Sequence, residues 1–217
     1  MLVSAGCEGM RSVRPGVNKP FKHANAQEWV KRFERESREI YGHRTEIVDS
    51  LELKPGMAVA DVGAGTGFMT LAFAKVVGPT GVVYAVDITP EFIDLVRRRA
   101  AEAHLPSVRP VLCSAQSVKL DPESVDLVFV CDTYHHFEYP PKTLRSIHRA
   151  LRPGGRLVVV DFKRIPGESR EWTMNHVRAA KETFIKEIGD AGFSLTRADV
   201  DLPYLKENYV LTFRKIG

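Results

Sequence analysis

Three observations predict an α/β protein built on a doubly wound, mostly parallel seven-stranded sheet. Short Val-rich runs alternate with helical stretches along most of the chain. Such alternation stacks helices on both faces of a parallel sheet. Similar punctuation precedes three of the runs: Leu53-Lys54-Pro55-Gly56, Val77-Gly78-Pro79 with Gly81, and Leu151-Arg152-Pro153-Gly154-Gly155. The last two strands follow one another with no helix between them. A parallel pair needs a crossover, so these two form an antiparallel C-terminal hairpin at one edge.

Residues 1–22 contain Gly and Pro breaks, no helical period and no apolar run of signal-peptide length. They read as a flexible leader ahead of one domain over 23–217. Between Ala26 and Leu51, the residues Trp29, Phe33, Ile40, Ile47, Val48 and Leu51 recur at helical spacings among charges. This predicts an N-terminal helical cap, with Gly42 separating two helices. Met57–Val62 is the first strand and Phe68–Val77 the helix that leaves it. Val82–Val86, closed by Asp87, precedes a helix over Pro90–His104 with Phe92, Leu95, Val96 and Ala100 inward. Strands follow at Val108–Cys113 and Val125–Cys131, then a helix at Pro141–Leu151 and a strand at Leu157–Phe162. Glu171–Ala191 reads as one helix, ended by Gly192 in the left-handed cap conformation. The closing strands are about Leu195–Val200 and Tyr209–Arg214.

Composition is that of an ordinary globular domain: 217 residues, 44% hydrophobic and 27% charged. No run approaches the ~18 apolar residues of a membrane span. Three cysteines with no CxxC spacing argue against a disulfide framework and for a reducing, cytoplasmic setting. The net charge of +4 is mild, and the Lys and Arg residues are scattered, although Arg97, Arg98 and Arg99 stand together.

The chemistry concentrates at Asp61-Val62-Gly63-Ala64-Gly65-Thr66-Gly67, where the first strand gives way to a helix. Glycine permits positive φ in a tight turn and lets a ligand lie on bare backbone. In an open parallel sheet, ligands bind at this end of the strands. A dinucleotide-binding GxGxxG fails, because its third glycine would fall at Phe68. No Gly-Lys-Ser/Thr follows, so a phosphate loop fails too. Asp87 closes the second strand, where a carboxylate accepts hydrogen bonds from both hydroxyls of a ribose. Its alternative role is a turn or cap before Pro90, shared with Thr89.

From about Lys54 to Phe162 the chain resembles the class I S-adenosylmethionine-dependent methyltransferases, in the branch that includes small-molecule enzymes. The resemblance rests on Asp61–Gly67, on Val83–Asp87, on Asp126–Val130 through His135-His136, and on Leu151–Leu157. It implies a Rossmann-like fold and S-adenosylmethionine as cofactor. It also implies that Asp61 and Gly63 line the methionine portion, while Gly65 and Gly67, with Thr66 between them, pass under the sugar. Asp87 would hold the ribose and Ile88 would pack on adenine. The family often has an acidic residue reading the adenine amine; Ser114 stands there, with Ala115 or Gln116 as alternatives. Asp132, just past the fourth strand, joins this cofactor set.

Cys131-Asp132-Thr133-Tyr134-His135-His136-Phe137 leaves that strand at the crevice, beside the transferred methyl in the resembled family. A histidine suits general-base chemistry near neutral pH. His135 is the first candidate. His136, a second candidate, reads more naturally as a helix-capping or packing residue, and Tyr134 as an acceptor-positioning group or plain wall. A metal shared by His135 and His136 with Asp132 or Asp161 is disfavoured, because neighbouring side chains diverge, and no metal is expected. Tyr41, His43 and Arg44, together with Trp172, Met174 and His176, are candidates for closing over the cofactor and lining the acceptor.

Methyl transfer to a small-molecule acceptor is the leading expectation. An RNA or protein methyltransferase would need a cationic trench joining Arg97–Arg99 to Lys163, Arg164 and Arg170; nucleic acid is not the favoured partner. A non-catalytic cofactor-binding module is the third reading. A nicotinamide oxidoreductase is disfavoured by Phe68 and by the edge hairpin.

Overall fold

The computed structural model describes residues 11–199 and 202–217. Seven strands lie in the order β3-β2-β1-β4-β5-β7-β6. They are β1 (Ala58–Val62), β2 (Val82–Asp87), β3 (Val108–Leu112), β4 (Val125–Cys131), β5 (Leu151–Phe162), β6 (Phe193–Asp199) and β7 (Asn208–Lys215). The first five pair in parallel. β7 runs antiparallel to both β5 and β6. The inferred edge hairpin is therefore present, with β7 inside and β6 at the rim; Val200 lies outside the described residues.

Val, Ala and Phe alternate sides along β1 and β4 and feed two separate cores. One face packs Leu144, Ile147, Phe184 and Ile188; the other packs Ile47, Phe73 and Val96. The helices are α1 (Ala26–Phe33), α2 (Glu39–Gly42), α3 (Arg44–Ser50), α4 (Phe68–Val77), α5 (Pro90–Glu102), α6 (Pro140–Ala150), α7 (Glu171–His176) and α8 (Lys181–Asp190), of which α3, α4, α5, α6 and α8 supply these core residues.

Three expectations are corrected. The cap is three short helices: Gly42 does end α2, but the chain also breaks after Phe33. There Arg38 donates to the Phe33 carbonyl and Glu34 turns aside to pair with Arg99. The single helix expected over Glu171–Ala191 is broken at 177–180. Arg164 donates to the carbonyls of Met174 and Val177, which a continuous helix would have used internally, and Val177 is buried in extended backbone. β5 starts at Leu151, since Leu151 pairs with Val125 across a register shift that absorbs Pro153 and Gly154.

Residues 11–22, in the segment read as a flexible leader, are docked. Val13 donates its backbone N–H to the Glu138 carbonyl at 2.8 Å. Asn18 Nδ2 reaches the His136 carbonyl at 3.2 Å. Phe21 meets the His136 ring edge-on at a centroid distance of 5.3 Å. Residues 1–10 lie outside the described residues.

Candidate active site

Strand order reverses between β1 and β4, and at such a switch point the two exit loops part and leave a crevice. The glycine loop enters it from β1. Gly63, Gly65 and Gly67 all have positive φ, at 78°, 53° and 82°. A side chain at Gly63 would overlap Thr133, on the loop leaving β4. One at Gly65 would project into the crevice, meeting Phe33 at an ordinary contact distance of 3.5 Å and the Gly63 carbonyl at 3.9 Å. One at Gly67 would meet Val96 Cγ2 at 2.6 Å, so this glycine lets α5 pack against the start of α4. Gly67 does not line the crevice, and its expected place under a ligand gives way to this packing role.

The loop is held by the acids flanking it. Asp87 accepts the Gly65 N–H at 2.8 Å and the Thr89 N–H at 2.9 Å. Asp61 accepts the Thr70 hydroxyl at 2.6 Å. Both carboxylates are almost fully buried. Burial, against the hydrogen bond from Thr70, pushes the Asp61 carboxyl up to about 7, and burial likewise raises Asp87. Thr66 is buried with its hydroxyl unpartnered, and its carbonyl accepts from Arg99.

Beyond the loop the crevice widens into a cavity of about 1270 Å³. A single-ligand pocket holds roughly 300–1,000 Å³, so this one has room for two ligands side by side. Asp61, Gly63, Gly65, Asp87, Ile88, Ser114, Ala115 and Asp132 all line it. Ile88 offers an exposed apolar surface at the rim. Gln116 turns away and accepts from Lys142 Nζ at 3.0 Å, so it is not a lining residue.

Asp132, itself at positive φ, has both oxygens committed. Arg38 donates to Oδ2 at 2.6 Å and Asn208 to Oδ1 at 2.7 Å. Arg38, Asn208 and Glu39 were not singled out from the sequence. They come from the break before α2, the first residue of α2 and the start of β7, and no spacing rule joins those places. Glu39 accepts the backbone N–H groups of Lys206, Glu207 and Asn208, clamping the cap onto the loop before β7. His43 lines the cavity; Tyr41 packs edge-on against Phe68 and Arg44 covers Tyr41, so neither of those two does.

Tyr134 is corrected from an acceptor-facing candidate to a core residue. It is fully buried, its hydroxyl donates to Glu187 at 2.9 Å, and its ring packs on Phe137 and Phe184. A single turn of 3-10 helix over Tyr134–His136 sends it away from the cavity and brings the next two rings into it. His135 Nδ1 is 2.7 Å from Asp161 Oδ1, and its own N–H donates to Oδ2 at 3.1 Å. His136 and His176 meet through their Nε2 atoms at 3.2 Å, and Trp172 stacks on His176. The expected divergence of His135 and His136 does not occur, for their ring centroids are 4.4 Å apart. Burial lowers His136 to about 2 and His176 to about 4, so both are neutral imidazoles at neutral pH. Burial also pushes the Cys113 thiol up to about 12 and Cys131 well above its ordinary value, so neither offers a thiolate.

Residues 60–159, which carry the loop, both acids and the histidine turn, match the model of a methyltransferase domain family. This stretch is a class I S-adenosylmethionine-dependent methyltransferase domain. Its cofactor is S-adenosylmethionine. Over 114 residues the chain is 33% identical to a ubiquinone/menaquinone biosynthesis C-methyltransferase, UbiE, of Burkholderia multivorans, covering 52% of this chain and 46% of that protein. The chain thus spans about half the length of the curated relatives it matches. A SAM dependent methyltransferase from Aquifex aeolicus superposes with TM-score 0.77 at 24% identity, over 89% of this chain and 100% of that one. The [4+2]-cyclase SpnF superposes with TM-score 0.70 at 18% identity, covering 82% of each chain. Among the described residues, no helix of the domain is long and apolar enough to cross a membrane.

Proposed function

We propose that this chain transfers the methyl group of S-adenosylmethionine to a small, largely apolar acceptor enclosed in the same cavity. One observation carries the reading: the glycine cradle and a separate aromatic and histidine wall open into one continuous space. The cradle fits the cofactor. Gly65 leaves bare backbone where a side chain would fill the crevice, Asp87 presents a buried carboxylate for hydroxyls, and Ile88 offers an apolar face for adenine. Asp61 and Gly63 would hold the methionine end, Ser114 or Ala115 the adenine edge.

The bound cofactor supplies a methyl on a sulfonium, an excellent leaving group, so positioning and exclusion of water carry much of the rate. This chain's residues do that work. Phe21, Trp29 and Phe92 form one aromatic cluster of the lining and Phe162 with Trp172 another. An aromatic lining of this kind favours an aromatic or otherwise apolar acceptor, in keeping with the C-methyltransferase named among the relatives. In the ion-free protein His135, held by Asp161 through Nδ1, would be the group to take a proton from the acceptor through Nε2.

The macromolecular alternative finds little support. Arg97 pairs with Asp94, Arg99 with Glu34 and Arg170 with Glu207, while Lys163 and Arg164 bond backbone carbonyls. Half of that set is thus paired with carboxylates, and among the described residues Arg98, Lys163 and Arg164 keep a charge with no carboxylate beside it. Free Cys113 and Cys131 fit a reducing compartment such as the cytoplasm.

Calorimetry with S-adenosylhomocysteine tests the cofactor assignment. Wild type should bind, and Asp87→Ala should bind about 30-fold or more weakly, the loss expected for hydrogen bonds to a charged acceptor. Equal binding by the two would remove it. Tritiated methyl transfer into fractionated small molecules from the source cell then identifies the acceptor.

A further inference from the structure

We propose that His135, His136 and His176 form a three-imidazole site for a first-row divalent cation, Zn²⁺ being the fitting ion, at the acceptor end of the cavity. One ligand nitrogen from each ring lies within 4.8 Å of the other two. Nε2 of His136 and Nε2 of His176 are 3.2 Å apart. Zn–N bonds of about 2.0–2.1 Å in a tetrahedron set their nitrogens about 3.3 Å apart, so this pair already stands at chelating separation. His135 has Nδ1 committed to Asp161 at 2.7 Å, which leaves Nε2 to offer. That Nε2 is buried and has no hydrogen-bond partner. A carboxylate behind a histidine is the arrangement that orients a metal-binding imidazole and raises its basicity.

The donor set selects among ions. Three imidazoles without a carboxylate suit Zn²⁺, Co²⁺, Ni²⁺ or Cu²⁺ and not Mg²⁺ or Ca²⁺, which take oxygen ligands. Three protein ligands leave a tetrahedral ion one further position, the pattern of sites that hold water or substrate. All three histidines line the cavity beside Phe162 and Trp172, so an acceptor oxygen can take that position. This acceptor role rests on the methyl-transfer reading; the ion site itself does not. The backbone is fixed on both sides. Asp161 accepts the N–H groups of His135 and Phe162, Asn18 bonds the His136 carbonyl, and the Arg14 guanidinium bonds the carbonyls of Asn175 and His176.

The test uses the full chain, stripped with a chelator and free of cofactor, titrated with Co²⁺. The visible d–d absorption of a four-coordinate ion should appear, saturate at one equivalent and vanish on addition of Zn²⁺. Cu²⁺ should quench the fluorescence of Trp172, which stacks on His176 at 4.4 Å; Trp172→Phe identifies that share. His176 is the least buried of the three ligands and sits at the end of a short helix. His176→Ala, with His176→Gln as its volume-conserving pair, should keep the circular-dichroism spectrum and weaken Zn²⁺ binding by about 100-fold or more. Calorimetry with S-adenosylhomocysteine on the same samples separates the two readings. Protein that binds S-adenosylhomocysteine but gives no cobalt band, or His176 variants that take up the ion as wild type does, overturns the site. Stoichiometric ion uptake without S-adenosylhomocysteine binding upholds the site and removes the methyl-transfer reading.

Discussion

The Arg38 guanidinium donates to Asp132 Oδ2 at 2.6 Å, joining the N-terminal cap to the loop that leaves β4. The pair is mostly buried, with the Asp132 side chain 9% exposed. Burial raises the Asp132 carboxyl, and Arg38 is the strongest influence opposing that rise. Arg38→Met should therefore cost about 1–3 kcal/mol, below the 3–5 of a fully enclosed pair because Arg38 reaches solvent. Urea unfolding measures this. Asp132→Asn in the Arg38→Met background should recover part of the loss, since no uncompensated charge then remains.

Gly65 and Gly67 should respond oppositely to a side chain. Gly67→Ala forces a Cβ against Val96 at 2.6 Å in left-handed backbone. It should cost about 2–4 kcal/mol from overpacking and the αL penalty together. Gly65→Val should leave the circular-dichroism spectrum nearly unchanged and abolish S-adenosylhomocysteine binding in calorimetry. A Gly65→Val protein that still binds would mean the loop is not the cradle.

Asp61 gives a dependence on pH with a defined sign. Burial holds its folded pKa at about 7, above the ordinary 3.8 of an aspartate. The folded state therefore holds the proton more tightly. The associated stability is full below about pH 4 and is lost as pH rises through about 7. Asp61→Asn, which can still accept from Thr70, lacks this loss. Wild type should thus fall relative to the variant by the order of 2–4 kcal/mol between pH 4 and 8, measured by urea midpoints. A difference that stays flat with pH would show Asp61 ionised throughout.

Tyr134→Phe should behave as a core substitution. Glu187 keeps its pair with Arg178, so the lost hydroxyl should cost about 1 kcal/mol. Steady-state turnover, once an acceptor is in hand, should change less than about threefold, a shift of roughly 0.6 kcal/mol.

What the sequence made legible was local. Phe68–Val77 and Val125–Cys131 show in the chain because one apolar period runs from end to end and a turn residue or cap bounds it. The glycine loop shows because positive φ admits few other residues. Where long-range contacts decide, the sequence is silent. The helix break at 177–180 depends on Arg164 taking carbonyls, and the occupied Asp132 depends on Arg38 and Asn208. Tyr134 and the histidines could not be sorted, because a single 3-10 turn decides which neighbour faces the cavity. The same turn brings together the rings of His135 and His136, which adjacency in an extended chain would point apart.

The hold of residues 11–50 on the domain has a consequence for how acceptors are chosen. Beside their buried apolar contacts, these residues are fastened at the cavity by individual polar groups: Asn18 to a carbonyl, Arg38 to a carboxylate, Glu39 to three amides. Such fastenings can be exchanged a few at a time while β1, β2 and the glycine loop stay as they are. One half of the chamber is thus free to be refitted to a new guest, and the half that seats the methyl donor need not change.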